Sequence, residues 1–171
     1  GQELPDVTRP AATTDHSVSV GDLDTAVVMT FFYSHCNTVC PFLISSMRNV
    51  QTNATEAGYG DDVTFLPVTF DPKRDDATRL EEYAEMMNVD LDAGNWHFLR
   101  PDDHDHAKEV VQETYGVTFE KTSETESSKY MYNHLGLLLL ANADGYVERA
   151  YTGNDPVGDR VWSDLETVLQ A

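Results

Sequence analysis

Basic residues are scarce in this sequence, whose 171 residues include 11 lysines and arginines against 30 aspartates and glutamates, for a formal net charge of −19. Because phosphate groups are bound by clustered basic side chains, this deficit argues against nucleic acid and anionic membrane surfaces as partners. A dispersed acidic, lysine-poor surface is typical of proteins that stay hydrated in concentrated salt, where a Debye length of about 3 Å at 1 M suppresses self-repulsion. We therefore predict a halophilic protein, with an ordinary acidic protein as the alternative.

Long apolar runs are absent as well. A membrane-spanning helix needs roughly 18–20 apolar residues, and the longest candidates, Val27–Tyr33 and Leu135–Ala143, have the length of strands. The first residues contain neither the charged nor the apolar region of a targeting peptide. We expect a soluble chain from which any targeting or anchoring segment has been removed.

Cysteine is limited to Cys36 and Cys40. Two cysteines do not make a structural disulfide framework, and a bridge between them would close a very small loop that adds little stability. Their role is therefore expected to be chemical.

The order of apolar segments and turn signals predicts an α/β fold built as one domain. Strand-like and helix-like segments follow the order β-α-β-α-β-α-β-β-α, which favours a central mixed, mostly parallel sheet with helices on both faces, in the thioredoxin-like arrangement. Residues 1–21 are predicted to form an extended N-terminal lead-in with a short hairpin, and residues 22–171 the domain itself, with a late insertion at 118–129. The predicted elements are, in chain order, Val27–Tyr33, Pro41–Ala57, Val63–Phe70, Asp75–Met87, His97–Leu99, Asp102–Tyr115, Leu135–Ala141, Tyr146–Thr152 and Val157–Leu169.

The two cysteines lie where the first buried strand gives way to a helix. The N-terminal end of a helix favours thiolate over thiol. Cβ atoms four residues apart on a helix are separated by about 5–6 Å, whereas a disulfide needs about 3.5–4.5 Å. The spacing therefore favours a shared metal ion and leaves reversible oxidation open, and a pair of inert buried cysteines is the remaining alternative.

Thiolates are soft ligands that select Cu(I), zinc or iron–sulfur clusters. Iron–sulfur clusters and structural zinc sites use four protein ligands as a rule, which is more than the good ligands this sequence offers. Copper tolerates three ligands, so it fits the available residues better.

Three motifs then point to a known family. The stretch 32–41, F-Y-S-H-C-N-T-V-C-P, resembles the signature of the Sco/SenC family of thioredoxin-like, copper-binding assembly factors. The stretch 68–75, V-T-F-D-P-K-R-D, resembles the second motif of that family, and 132–134, Y-N-H, resembles its third. The motifs occur in the family's order, so the resemblance covers nearly the whole chain.

The resemblance implies that Cys36, Cys40 and His134 bind a copper ion, Cu(I) or Cu(II), within residues 22–171. Proteins of this family help to assemble the binuclear copper centre of cytochrome c oxidase by delivering copper, by reducing the target's cysteines, or both. The implied partner is a copper-receiving subunit of the oxidase or another copper chaperone, and the implied location is outside the cytoplasm, tethered to the membrane. Asn133 and Leu135 depart from the family pattern, which usually has an acidic residue and a small polar one, and this bears on copper affinity.

Read without the resemblance, His134 at a sheet end is more often structural than a ligand, and only the resemblance favours the ligand. Asp71 follows the second buried strand. We expect it beside the metal ligands, where it orients one of them or contacts a partner, with a simple turn and helix cap as the alternative.

Two enzyme functions compete with metal transfer. A thiol–disulfide oxidoreductase acting on a partner's cysteines would use Cys36 and Cys40 as its redox-active pair. A thiol peroxidase would need an arginine beside its activated cysteine, and Arg48 and Arg149 lack that setting in the sequence. The sequence therefore predicts a metal-transfer protein first and a thiol–disulfide reductase second.

Overall fold

A computed structural model of the chain describes residues 1–13, 16–36, 39–121, 131–134, 136–152 and 158–171, with the backbone alone at residue 134. A π-helix occupies Lys108–Thr114 and continues directly from the short α-helix His104–Ala107. The strands and α-helices are, in chain order, β1 (Thr8–Pro10), β2 (Ser17–Ser19), β3 (Ala26–Phe32), α1 (Val39–Glu56), β4 (Val63–Thr69), α2 (Ala77–Met86), α3 (His104–Ala107), β5 (Phe119–Lys121), β6 (Tyr132–His134), β7 (Leu137–Ala141), β8 (Val147–Thr152) and α4 (Gly158–Leu169).

The central sheet is mixed and follows the strand order β4-β3-β7-β8. Strand β3 runs parallel to β4 and antiparallel to β7, and β7 runs antiparallel to β8. The predicted strand His97–Leu99 lies along β4, where Trp96 and Leu99 form isolated parallel bridges with Phe65 and Val68. The central sheet is therefore not mostly parallel, as the sequence predicted, among the described strands. The pairs β3–β7 and β7–β8 are both antiparallel, and only β3–β4 is parallel. The mixed sheet with its helices confirms the predicted α/β fold class.

Helices cover both faces of this sheet. Strands β3 and β4 are buried along their whole length, as their β-branched and aromatic composition predicts. Neighbouring residues on a strand point to opposite faces. The ring of Phe32 stacks on Tyr83 of α2 with 5.6 Å between centroids, whereas the ring of Phe31 contacts Tyr115, at the end of the π-helix, at 5.2 Å. The two ring contacts therefore place α2 and the π-helix on opposite sides of β3.

The N-terminal region forms the predicted hairpin, in which β1 and β2 pair antiparallel with Thr8 opposite Ser19. The backbone N–H of Leu4 donates to the carbonyl of Gly145 at 2.7 Å, which attaches this region to the turn before β8. The domain boundary at residue 22 stays a prediction. No helix in the described part of the chain combines the length and the apolar character that crossing a membrane requires.

The predicted late insertion contributes β5, which pairs antiparallel with β6 so that Phe119 lies opposite His134 and Lys121 opposite Tyr132. The part of the predicted insertion that follows β5, at 122–129, lies outside the described residues, as does Leu135, the predicted first residue of the next strand. The β5–β6 pair stands beside the central sheet rather than in it. This small ribbon carries one of the predicted metal ligands.

Candidate metal centre

The two cysteines flank the turn from β3 into α1. The backbone N–H of Cys36 donates to the carbonyl of Tyr33 at 3.2 Å, and Cys40 is the second residue of α1. Residues 37 and 38 between them lie outside the described residues. Both side chains are thiols rather than halves of a disulfide, with Cys36 exposed to 6% and Cys40 to 0%. We call residues 34–36 and 39–40 the cysteine turn. It holds two thiols inside the protein at the carboxyl end of β3.

Burial dominates the electrostatics of Cys40. It raises the pKa of the Cys40 thiol well above its usual range, and the hydrogen bond with Cys36 and the charge of Cys36 raise it further. The sequence predicted the opposite, a thiolate stabilised by the helix N-terminus. The desolvation of a fully buried thiol outweighs the partial charge at a helix end, so Cys40 stays protonated at neutral pH. A metal ion bound there must displace this proton.

Tyr33 links the cysteine turn to the strand that carries His134. Its hydroxyl accepts a hydrogen bond from the N–H of Tyr132 at 3.0 Å and donates to the carbonyl of the same residue at 3.4 Å. Burial raises the pKa of Tyr33 to about 12, and both cysteines contribute in the same direction. Tyr33 lies three residues before Cys36, and its hydroxyl thus connects the segment that leads to the cysteines with the main chain of β6.

An aromatic cluster packs the β5–β6 ribbon against the end of the sheet. The rings of Phe70 and Phe119 stack with 4.7 Å between centroids, and Tyr132 meets both edge-on at 5.3 and 5.7 Å. Tyr33 joins the cluster through Phe70 at 5.4 Å and Tyr132 at 5.2 Å. Such pairs contribute about 0.5–1.5 kcal/mol each beyond the burial of their area. The cluster therefore fixes the ribbon beside the cysteine turn.

His134 is the last residue of β6, opposite Phe119. Its backbone lies two residues beyond Tyr132, the residue that Tyr33 holds. The imidazole itself lies outside the described part of the chain. The structure thus brings the strand of His134 to the cysteine turn, and coordination by its side chain stays a prediction.

Asp71 lies two residues beyond the end of β4 and is 1% exposed. Its carboxylate accepts a hydrogen bond from Arg74 Nε at 2.6 Å, and its backbone N–H donates to Thr69 Oγ1 at 3.0 Å. The guanidinium of Arg74 lies 5.9 Å from the centroid of the Tyr33 ring. Asp71 therefore reaches the site through Arg74, and its predicted part in orienting a metal ligand stays a prediction.

The sequence places Asp75 at the N-terminal end of α2 and, like Asp71, near the metal ligands, but it does not indicate the buried hydrogen bonds that Asp75 makes. It is completely buried. Its carboxylate accepts hydrogen bonds from the backbone N–H of Ser34 at 3.0 Å, from Thr69 Oγ1 at 2.6 Å and from the hydroxyl of Ser34. Arg79 Nε in turn donates to Ser34 Oγ at 2.8 Å. Asp75 thus fixes the residue two positions before Cys36.

His35, Asp71 and Asp75 present ligand atoms within 4.8 Å of one another, a spacing that a metal ion could use. Both carboxylates are already engaged, Asp71 by Arg74 and Asp75 by Ser34 and Thr69. Burial and the nearby Arg74 and Arg79 lower the pKa of His35. We therefore interpret this trio as a hydrogen-bonded support for the cysteine turn.

Replacing Tyr33 with phenylalanine is expected to lower the free energy of unfolding by about 1–3 kcal/mol, because the main-chain groups of Tyr132 lose their buried partner. Chemical denaturation measures the loss, and hydrogen exchange should show faster exchange at the Tyr132 amide. Tyr146→Phe is the matched control, since Tyr146 is 45% exposed and its hydroxyl is not enclosed. Unchanged exchange at Tyr132 in the Tyr33→Phe protein would contradict the linking role of Tyr33.

Known proteins share this architecture. The profile of the SCO1/SenC family matches residues 11–170, and no curated protein sequence matches the chain. Similar solved structures include a SCO1/SenC family lipoprotein from Bacillus anthracis, with 20% identity over 98% of this chain and 95% of that chain and a TM-score of 0.75. BsSco, described as a cytochrome c oxidase assembly protein with a disulfide switch, has 20% identity over 99% and 94% and a TM-score of 0.73. Bradyrhizobium japonicum ScoI with copper bound has 19% identity over 98% of each chain and a TM-score of 0.73.

Proposed function

Because the chain belongs to the SCO1/SenC family, we propose that it binds copper and assists the assembly of cytochrome c oxidase by passing that copper to another protein. Cys36, Cys40 and His134 are the proposed ligands. The observation that carries the proposal is the pair of buried thiols at the end of β3, beside the strand on which His134 lies. The copper-bound relative from Bradyrhizobium japonicum supports the choice of metal.

The three proposed ligands are suited to a copper ion that the protein transfers rather than keeps. Two thiols and one imidazole suit Cu(I), which accepts soft sulfur ligands. Burial keeps Cys40 protonated, so loading releases protons and unloading takes them up. Asp75 holds Ser34, two residues before Cys36, whereas His134 lies on a separate ribbon. Three ligands leave room for a donor atom of the receiving protein, through which the ion can leave.

Anaerobic titration with Cu(I) against a competing chelator tests this proposal. The wild-type protein is expected to bind one copper ion per chain. His134→Ala should weaken binding by more than about 100-fold, the upper range found when a hydrogen-bond partner of a metal ligand is removed. His106→Ala is the matched control, because the His106 ring contacts Asp102, just before α3, and it should stay within about threefold. Unchanged affinity in His134→Ala would remove His134 from the site.

A thiol–disulfide oxidoreductase is the second candidate, favoured by the hydrogen bond between the two thiols and by the disulfide switch of BsSco. Thiol exchange proceeds through a thiolate, which burial disfavours at Cys40, so Cys36 is the cysteine that would attack a partner's disulfide. Reduction of insulin by the purified protein distinguishes the two. An oxidoreductase keeps full activity in His134→Ala and loses it in Cys36→Ser, whereas a copper carrier without this activity reduces insulin in neither form.

The family relationship also suggests where the protein works. The relative from Bacillus anthracis is a lipoprotein, and we place this chain likewise outside the cytoplasm, anchored to the membrane through a segment before the lead-in of residues 1–21. In this arrangement residues 22–171 form the copper-binding domain. Fractionation of the source cells tests the location.

A further inference from the structure

Tyr83 is a buried tyrosine whose hydroxyl has no hydrogen-bond partner within the described part of the chain. The residue lies on α2 with 2% of its surface exposed, and its ring stacks on Phe32. Buried polar groups are paired in the large majority of cases, and each exception calls for an explanation. A phenylalanine would fill the same space without enclosing a hydroxyl, so packing alone does not account for a tyrosine at this position.

Three other tyrosines that are wholly or partly buried do pair their hydroxyl groups. Tyr33 bonds to the main chain of β6, Tyr115 to a backbone carbonyl of the N-terminal lead-in, and Tyr151 to a carboxylate of α4. The same fold therefore supplies partners for enclosed tyrosine hydroxyls elsewhere. Tyr83 differs from these three because its donor is not used among the described residues.

Tyr83 lies against the segment that leads into the cysteine turn. Phe32, on which its ring stacks with 5.6 Å between centroids, is four residues before Cys36. Arg79, one helical turn before Tyr83 on α2, donates from Nε to Ser34 Oγ at 2.8 Å. The guanidinium of Arg79 lies 6.0 Å from the centroid of the Tyr83 ring. Ring stacking and the bridge through Arg79 therefore hold the ring of Tyr83 beside the cysteine turn.

The cysteines are the ionisable groups that influence the Tyr83 hydroxyl most. Burial raises the pKa of Tyr83 above its usual range, and the charges of Cys40 and then Cys36 raise it further, ahead of Asp75. Tyr33 forms a hydrogen bond with Cys36, whereas Cys40 contributes the largest charge effect at Tyr83. The stronger association of Tyr83 is therefore with Cys40.

We propose that Tyr83 is a positioning residue of the copper site, whose hydroxyl donates a hydrogen bond to the sulfur of Cys40 once copper has displaced the thiol proton. This role rests on the proposed function. A neutral thiol is a weak acceptor, which agrees with the unpaired hydroxyl beside a protonated Cys40. A thiolate carries charge, and hydrogen bonds to charged acceptors are roughly twice as strong as neutral ones. The proton of Cys40 passes to the solvent, and Tyr83 keeps its own.

Tyr83→Phe tests the proposal, because it removes the hydroxyl and keeps the ring. Affinity for Cu(I), measured anaerobically against a chelator, should fall about tenfold, the lower end of the range for lost partners of metal ligands. Chemical denaturation of the metal-free variant should show an unchanged or higher midpoint, since that form loses no hydrogen bond. In the Cu(II)-loaded variant the sulfur-to-copper charge-transfer band should move to longer wavelength, because a sulfur without its hydrogen bond gives up an electron more easily.

Tyr115→Phe is the matched control with the opposite expectation. Its hydroxyl donates to a backbone carbonyl at 2.6 Å, and its ring lies on the other side of β3 from α2. This variant should denature more easily and bind copper within about twofold of the wild type.

Three results for Tyr83→Phe would overturn the role of Tyr83: copper affinity equal to that of the wild type, an unshifted charge-transfer band, or weaker binding accompanied by a lower denaturation midpoint of the metal-free protein. The last of these would show a structural role instead. If the wild-type chain binds copper and the variant binds it equally, only the role of Tyr83 fails. If the wild-type chain binds no copper, the proposed function fails and this inference fails with it.

Discussion

Cys40→Ser is expected to reduce the affinity for Cu(I) by more than about 1,000-fold, which corresponds to about 4 kcal/mol. Serine offers a hard, protonated oxygen in place of a soft sulfur. The α1 backbone holds position 40 inside the protein, where Cys40 is 0% exposed, so no solvent ligand replaces the lost atom easily. Cys36→Ser should have a similar effect. Competition with a Cu(I) chelator under anaerobic conditions measures both constants.

A folding control is needed because the hydroxyl of Ser at position 40 would be buried and can cost about 1–3 kcal/mol if it finds no partner. Cys40→Ala avoids the buried hydroxyl and should lose copper equally while staying closer to the wild type in denaturation. A folded Cys40→Ser or Cys40→Ala protein that still binds one copper ion within tenfold of the wild-type affinity would contradict a site built on both cysteines.

The central strands and the cysteine turn could be predicted from sequence because the signals there are local. Strands β3 and β4 consist of β-branched and aromatic residues with scarcely a polar interruption, as expected for strands covered on both faces. The proline after Cys40 marks the first turn of α1. The order of these elements was sufficient to predict the fold class.

The support of the site could not be predicted in the same way, because it depends on contacts between residues distant in sequence. Tyr33 read as the end of an apolar strand, and its hydrogen bonds reach a residue 99 positions away. Strand β5 has three residues, too few for an alternating pattern to be recognised. The ionisation of Cys40 was predicted wrongly because helix position can be read from sequence, whereas depth of burial cannot.

Asp75 illustrates the same limit. Asp75 and Asp76 are adjacent acids before α2, and the sequence assigns both to the helix N-terminus. The structure separates them: Asp76 caps the helix by accepting a hydrogen bond from the Arg79 backbone at 2.8 Å, whereas Asp75 is buried beneath the cysteine turn. Its neighbours Ser34 and Thr69 come from the ends of β3 and β4, so only the parallel pairing of these strands brings the three residues together.

Asp75→Ala is accordingly expected to lower the free energy of unfolding by about 3–5 kcal/mol, because three buried donors lose their acceptor at about 1–3 kcal/mol each. The Ser34 N–H, the Ser34 hydroxyl and the Thr69 hydroxyl would all lose their acceptor. Asp76→Ala is the matched control on the adjacent residue and should cost about 1 kcal/mol, the usual value of a lost helix cap. Chemical denaturation of the two variants measures the difference.

A loss of this size approaches the whole stability of many domains, about 5–15 kcal/mol, so Asp75→Asn provides a second, milder variant. Asparagine keeps one acceptor oxygen and replaces the other by a donor, so at least one hydroxyl or N–H remains unpaired at a cost of about 1–3 kcal/mol. Because Ser34 lies two residues before Cys36, the same variant should also weaken copper binding, about tenfold, as partners of metal ligands do. If Asp76→Ala proved as costly as Asp75→Ala, or if Asp75→Asn bound copper as tightly as the wild type, the buried carboxylate would have no special part in holding the cysteine turn.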